Sequence, residues 1–167
     1  MSGGFVSVAN LADRVARPGR VAWIGLRPAR RAPVVSVTEA DAVATGLVGD
    51  RHARDNRRAV TLFQAEHLSA VAGFLGRADV DPADLRRNLV VAGINLAAFK
   101  GQRLAVGAAI LEIAAACPPC SRMEETFGHG GYAALRGHGG WCARVCAPGR
   151  IAVGDTVRVA PDAAGGS

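Results

Sequence analysis

The chain has 167 residues, half of them apolar, and a formal net charge of +6. That length and composition suit one globular domain with a substantial core and exclude a disordered chain. No apolar run approaches the roughly 20 residues needed to cross a bilayer, and Met1–Phe5 shows no basic region followed by an apolar one, so no secretory signal is read and a cytoplasmic location is expected.

In chain order, the pattern is many short strands interrupted by a few helices. Strands are expected at Phe5–Val8, Val21–Gly25, Val34–Val37, Val60–Phe63, Leu89–Val91, Arg103–Val106, Ala109–Ala114, Trp141–Cys146, Arg150–Val153 and Thr156–Val159. Several are rich in valine and isoleucine and bounded by glycine, proline or aspartate. Gln64–Leu75 carries Leu68, Val71, Ala72 and Leu75 on one helical stripe with Gly76 as a stop. Asp81-Pro82 reads as an N-cap followed by proline at the first helical position. Ser121 and Glu124 fit a capping box, so a third helix is expected to start at Ser121. Glycines at 128, 130, 131, 137, 139 and 140 frame a short Tyr132–Arg136 turn. Ala147-Pro148-Gly149 and Gly154-Asp155 punctuate the last strands as hairpins. A mostly β fold with short helices (α+β), barrel or sandwich, follows. The domain is expected to run over residues 1–160, with a frayed tail over 161–167.

Of the 20 basic residues, Lys100 is the only lysine. Arginine forks match phosphate and carboxylate oxygens, although an arginine-preferring genome gives the same balance. The arginines are scattered, with no basic run interleaved with aromatics, so no nucleic-acid or membrane partner is expected. Separate arginines suit a smaller phosphorylated ligand.

Chemistry concentrates at Cys117-Pro118-Pro119-Cys120-Ser121-Arg122-Met123-Glu124. The prolines keep the backbone extended, which places Cys120 just outside a helix N-terminus. Cysteines so placed ionise more readily, and the thiolate is the form that attacks electrophiles and ligates metals. Three polar clusters stand at loop-to-strand junctions, where barrels place ligand contacts. They are Gly46-Leu-Val-Gly49-Asp50-Arg51-His52, Arg86-Arg87-Asn88, and Gly137-His138-Gly139-Gly140 leading into Trp141-Cys142-Ala143-Arg144.

Together with Cys120 these residues resemble the MOSC domain, named after the C-terminal domain of molybdenum cofactor sulfurase. The matching elements are Gly46-x-x-Gly49-Asp50, Arg58-Ala-Val60, Arg86-x-Asn88-Leu-Val90, the strand near Gly107, Pro119-Cys120 and Ile151-x-Val153-Gly154-Asp155. Their order spans residues 5 to 159. The resemblance implies a MOSC-type β-barrel that binds the pyranopterin molybdenum cofactor, with Cys120 as the molybdenum ligand. It implies cofactor contacts from Arg58, Thr61, Arg86 and Asn88, with Ser121 and Arg122 orienting the sulfur. The implied activity is reduction of N-hydroxylated compounds, with Cys120 and His138 as catalytic residues and electrons from a partner protein. Pyridoxal phosphate is not expected in this domain alone. The same family suggests a sulfur carrier, with a persulfide on Cys120 supplied by a sulfur donor. Two departures stand out: Arg51-His52-Ala-Arg54-Asp-Asn56 occupies the place where some relatives have His-Gly-Gly, and His138-Gly139-Gly140 occurs later.

Other readings of the same residues stay open. Cys117 and Cys120 form a redox Cys-x-x-Cys spacing, but no thioredoxin-like βαβ unit surrounds it. Four cysteines, 117, 120, 142 and 146, suit a non-catalytic zinc module, or an anion-binding one. Cys142 and Cys146 also share a strand face, as inert core thiols would. His67 reads as a surface residue, His52 as a solvated loop residue, and Asp50 and Asp155 as turn-stabilising carboxylates. Substrate, donor and oligomeric state are not legible.

Overall fold

The computed structural model describes residues 7–8, 11, 14–51 and 56–161. Its strands are β1 (Gly19–Leu26), β2 (Val35–Val37), β3 (Glu39–Val43), β4 (Gly46–Leu47), β5 (Val60–Gln64), β6 (Leu89–Ala92), β7 (Arg103–Val106), β8 (Ala109–Ala116), β9 (Trp141–Ala147), β10 (Gly149–Ala152) and β11 (Thr156–Val159). Three helices, α1 (His67–Leu75), α2 (Ser121–Phe127) and α3 (Gly131–Leu135), are accompanied by short 3-10 turns. Seven strands close a barrel in the order β11-β7-β8-β9-β5-β6-β1, with β1 returning to β11. β2 extends the sheet from β1, and β10, β3 and β4 form a second, small sheet. The expected mostly β barrel is therefore the fold. The expected strand Phe5–Val8 falls largely outside the described residues, as does His52.

Burial explains why β5 and β6 read as unbroken apolar runs. They pair in parallel, Leu62 opposite Leu89, and every residue of both is buried. A parallel pair needs a crossover, and here α1 and a 3-10 turn at Pro82–Leu85 supply it. Leu62, Leu89 and Val91 face the barrel interior with Val21, Leu104, Leu111 and Val157. Phe63 and Val90 face outward, where Val71, Leu85, Met123, Phe127 and Leu135 cover them. The helices thus form a second core on one side of the barrel. Among the described residues, no helix is long and apolar enough to cross a membrane.

Several local expectations change. Gln64 ends β5 instead of starting a helix; its amide bridges the carbonyls of Val91 and Ile94 and accepts from Leu96 N. The Asp81 cap is present, accepting from Ala83 N at 2.9 Å, but the helix is only a 3-10 turn. Turns occur at Pro148 and Gly154, yet β9 and β10 do not pair with each other. β10 crosses to β3 and β11 to β7 and β1. The strand β3 has a patterned burial but an Ala- and Asp-rich sequence, and it was not anticipated.

A buried polar network joins the strand ends that face the helices. Asn88 is fully buried. Its Oδ1 accepts from Thr61 N at 3.0 Å and Thr61 Oγ1 at 3.2 Å, and its Nδ2 donates to Gly25 O at 3.1 Å. Arg27 at the end of β1 donates from N at 2.6 Å and Nη2 at 2.9 Å to Asp50, whose side chain is 2% exposed. Arg27 Nη2 also reaches Asn88 Oδ1 at 3.4 Å. Asp50 is structural, as its turn suggested, but its partner lies on a distant strand. Asn88→Ala strands Thr61 N and the Gly25 carbonyl in the interior, which costs roughly 3 kcal/mol. Urea unfolding should show that loss as a lowered midpoint with an unchanged slope.

Candidate functional site

Arginines gather beside this network. Arg86 closes the Pro82–Leu85 turn with φ of 56°, a left-handed conformation that costs a non-glycine residue about 1 kcal/mol. Its Nη1 donates to Ala32 O at 2.6 Å, whereas Nη2 is buried without a hydrogen-bond partner. Burial first, and then the charges of Arg122, Arg27 and Arg51, push its pKa below the ordinary arginine value; Asp50 opposes them. Four guanidiniums therefore share one basin with one carboxylate. An uncompensated buried N–H and an excess of positive charge are the electrostatic form of an anion site. Arg122 belongs to the first turn of α2, so the start of that helix borders the basin.

The thiols divide between two places. Cys120 is exposed and occupies the N-cap of α2, with no side-chain cap hydrogen bond. Ser121 is the first helical residue and is exposed. The expected capping box is absent because Glu124 turns forward, accepting from Gly130 N and Tyr132 N at 2.9 Å each. Cys117 instead points inward and is half-buried. A hydrogen bond from the Cys142 thiol holds its pKa down at about 6, assisted by Arg87, Arg58 and Arg27 against the opposing effect of burial. Cys142, buried on β9, is pushed up by the same bond, by burial and by the charge on Cys117. Arg58 and Arg87 act on both thiols, and Arg27 acts on Cys117.

Cys117 lines a cavity of about 430 Å³ with His67, His138, Tyr132, Arg136 and Trp141. Glycines allow this approach: a Cβ on Gly139 would strike the Cys117 carbonyl, and Gly140 has φ of 90°. Cys117 N donates to Gly140 O at 2.8 Å, and Arg87 Nε grips Gly139 O at 2.8 Å. The loop is thereby tied to the Cys117 backbone and to the Arg87 side chain. His138 Nδ1 lies 3.2 Å from His67 Nδ1, with the rings edge-on and 4.6 Å apart.

These positions sort the expected site residues. Arg86 and Arg122 meet at the basin, and Arg58 acts on the thiol pair. Thr61 and Asn88 are buried with their polar atoms engaged, so they frame the site from behind. His138 opens on the cavity. His67, read from sequence as a surface residue, is half-buried there, because the helix starts at His67 and turns this side toward α3. Arg51 and Arg87 fall inside the polar clusters that the sequence marks, without a role of their own there, but nothing in sequence marks Arg27. The pKa of Cys117 responds to Cys142 and not to Cys120. Among the described residues, no group of three or more histidine, cysteine or carboxylate side chains assembles to hold a metal, so the four-cysteine zinc set does not form.

Burial and then the neighbouring His138 lower the His67 pKa, while Glu66 raises it. The neutral ring is therefore favoured in the fold. This contribution to stability is present above the unfolded value near pH 6.5 and is lost as pH falls through the lower folded value. In His138→Asn, imidazole NMR should show the His67 midpoint moving upward while staying below the unfolded value.

The comparisons agree with this architecture. The fold resembles the YuaD protein from Bacillus subtilis, with a TM-score of 0.75 and 19% identity, covering 84% of this chain and 94% of that one. It resembles YiiM from Escherichia coli, with a TM-score of 0.67 and 21% identity over 87% and 72% of the two chains. YiiM from Geobacillus stearothermophilus gives a TM-score of 0.70 and 16% identity over 89% and 78%. Among curated proteins, none matches the chain by sequence. The model of the MOSC domain matches residues 49–158, a stretch that runs from the Gly49-Asp50 turn through Arg51, Arg86, Cys117, Cys120 and Arg122 to the last barrel strand, and leaves out Arg27. The chain belongs to the MOSC domain family.

Proposed function

We propose that this chain binds the molybdenum cofactor and reduces N-hydroxylated compounds. The observation that carries the reading is the buried, partnerless Nη2 of Arg86 among the guanidiniums of Arg27, Arg51 and Arg122. The cofactor's pterin carries a terminal phosphate, and forked donors fit phosphate oxygens. The residues present therefore fit the group. When bound, the cofactor supplies two-electron redox chemistry, with electrons from a cytoplasmic donor protein and water as the product of N–O cleavage.

The chain's own residues have distinct tasks in this reading. Arg86, Arg27, Arg51 and Arg122 hold the phosphate. Cys120, two residues before Arg122, provides the soft sulfur donor that such a metal prefers, and Ser121 and Arg122 orient it. Arg58 adds positive charge at the rim. Thr61 and Asn88 fix the strands on which the arginines stand. His138, backed by His67, holds the proton that the departing oxygen requires.

Arg86→Gly removes the fork while relieving the left-handed backbone strain, so the fold should persist. Its pterin content after purification from a cofactor-competent host should fall by about tenfold or more. Cys120→Ala should lower molybdenum more than pterin. Equal pterin and molybdenum in all three proteins would discard the reading. The exposure of Cys120 favours a second reading, a sulfur carrier. Intact-mass spectrometry would support it with one extra sulfur on Cys120 and no pterin.

A further inference from the structure

We propose that the contact between His67 and His138 is a proton-operated latch: it fastens one wall of the cavity while either facing nitrogen is bare, and it releases the turn after α3 when both rings are protonated. The inference goes beyond the reductase reading and holds with or without a bound cofactor. His67 opens α1, and His138 stands in the loop between α3 and β9. Their Nδ1 atoms lie 3.2 Å apart across two segments far apart in sequence, and both rings line the 430 Å³ cavity. Phe74, also on α1, lies against the His138 ring with centroids 5.9 Å apart. The far end of the loop is fastened separately, Gly139 O by Arg87 Nε and Gly140 O by Cys117 N. Gly137 has φ of 83° and nothing within 4 Å of where a Cβ would stand. The turn before Gly139 is thus fastened to α1 through the His138 ring and has room to move.

Proton counting gives the switch. An imidazole nitrogen either donates or accepts. With both rings neutral, one Nδ1–H donates to the bare Nδ1 of the other. One added proton leaves that bond in place and makes it charge-assisted. A second proton puts N–H groups on both facing atoms, so the bond loses its acceptor and two like charges meet. Such a pair titrates as a unit, with the second proton bound at lower pH than the first. The other titratable or charged groups on the cavity wall are Cys117, Tyr132 and Arg136. Arg87 reaches Gly139 from behind. Glu66 precedes His67, and its carboxylate accepts from Gly93 N and Gln64 Nε2. Arg136 adds to the repulsion in the doubly protonated state, and Glu66 opposes it. Burial and the charge of His138 hold the His67 midpoint below the ordinary histidine value. The latch is therefore closed above about pH 6.5 and is released as pH falls through the lower midpoint.

The test is amide hydrogen exchange on the full, cofactor-free chain, read by mass spectrometry at about pH 7.5 and about pH 5, which bracket histidine titration while carboxylates stay ionised. Rates are corrected for the intrinsic pH dependence of exchange. In the closed state the Arg136 and His138 amides donate to Tyr132 O at 3.1 Å and Leu135 O at 2.8 Å. Peptides covering these residues should lose about tenfold in protection at the lower pH, while peptides from β5 and β6 keep theirs. His138→Asn places an amide that donates or accepts near the position of Nδ1, so it meets both forms of His67. Its loop should stay protected at both pH values, and His67→Asn should behave likewise. The proposal is overturned by wild-type loop protection that does not change with pH, by the same loss in both variants, or by a loss shared equally with β5 and β6. No pterin is involved, so these outcomes are independent of cofactor retention.

Discussion

The contact on which the site depends is the buried pair between Arg27 and Asp50. It ties the end of β1 to the turn after β4, and through Asn88 and Thr61 to β5 and β6. Buried ion pairs are weak contributors to net stability, because desolvation offsets much of the attraction. Their removal by halves is costly, since one charge is left without its partner. This pair is better understood as a device for register. Asp50 accepts both a backbone and a side-chain donor from one residue, which fixes where the positive charge of Arg27 lies relative to Arg86.

The basin built on that anchor is out of electrostatic balance by itself. Arg86 has an unfavourable backbone conformation, an unpaired donor and three like-charged neighbours. Such strain persists only where surrounding structure holds it in place. Here the restraints are the Ala32 carbonyl, the 3-10 turn and the apolar side chain of Leu85 in the outer core. A bound anion would satisfy the donor and reduce the repulsion together.

Position separates the two cysteines of the Pro-Pro segment more than chemistry does. The prolines prevent the chain from turning between them, so one sulfur faces the cavity and the other caps a helix. The tight glycines at 139 and 140 complete the separation by letting a neighbouring loop approach Cys117. The exposed sulfur lies at the helix N-cap, two residues before Arg122. The inner sulfur shares its cavity with the imidazoles of His67 and His138.

Much of this was legible from sequence alone. Short valine-rich runs bounded by turn residues determined most strands, because period and punctuation are local properties. Gly49-Asp50, Arg86-x-Asn88 and Pro119-Cys120 marked the segments that converge, since each combines a turn with polar chemistry. Strand partnership was not legible. The turns at Pro148 and Gly154 reverse the chain, but the barrel's closure decided that β10 meets β3 and β11 meets β7 and β1. Nor could spacing show that Asn88 is sealed, that Arg27 completes the basin, that His67 meets His138, or that Cys142 rather than Cys120 acts on Cys117. Those outcomes depend on which residues long-range packing buries together, and burial is what gives a charge, a thiol or an imidazole its altered chemistry.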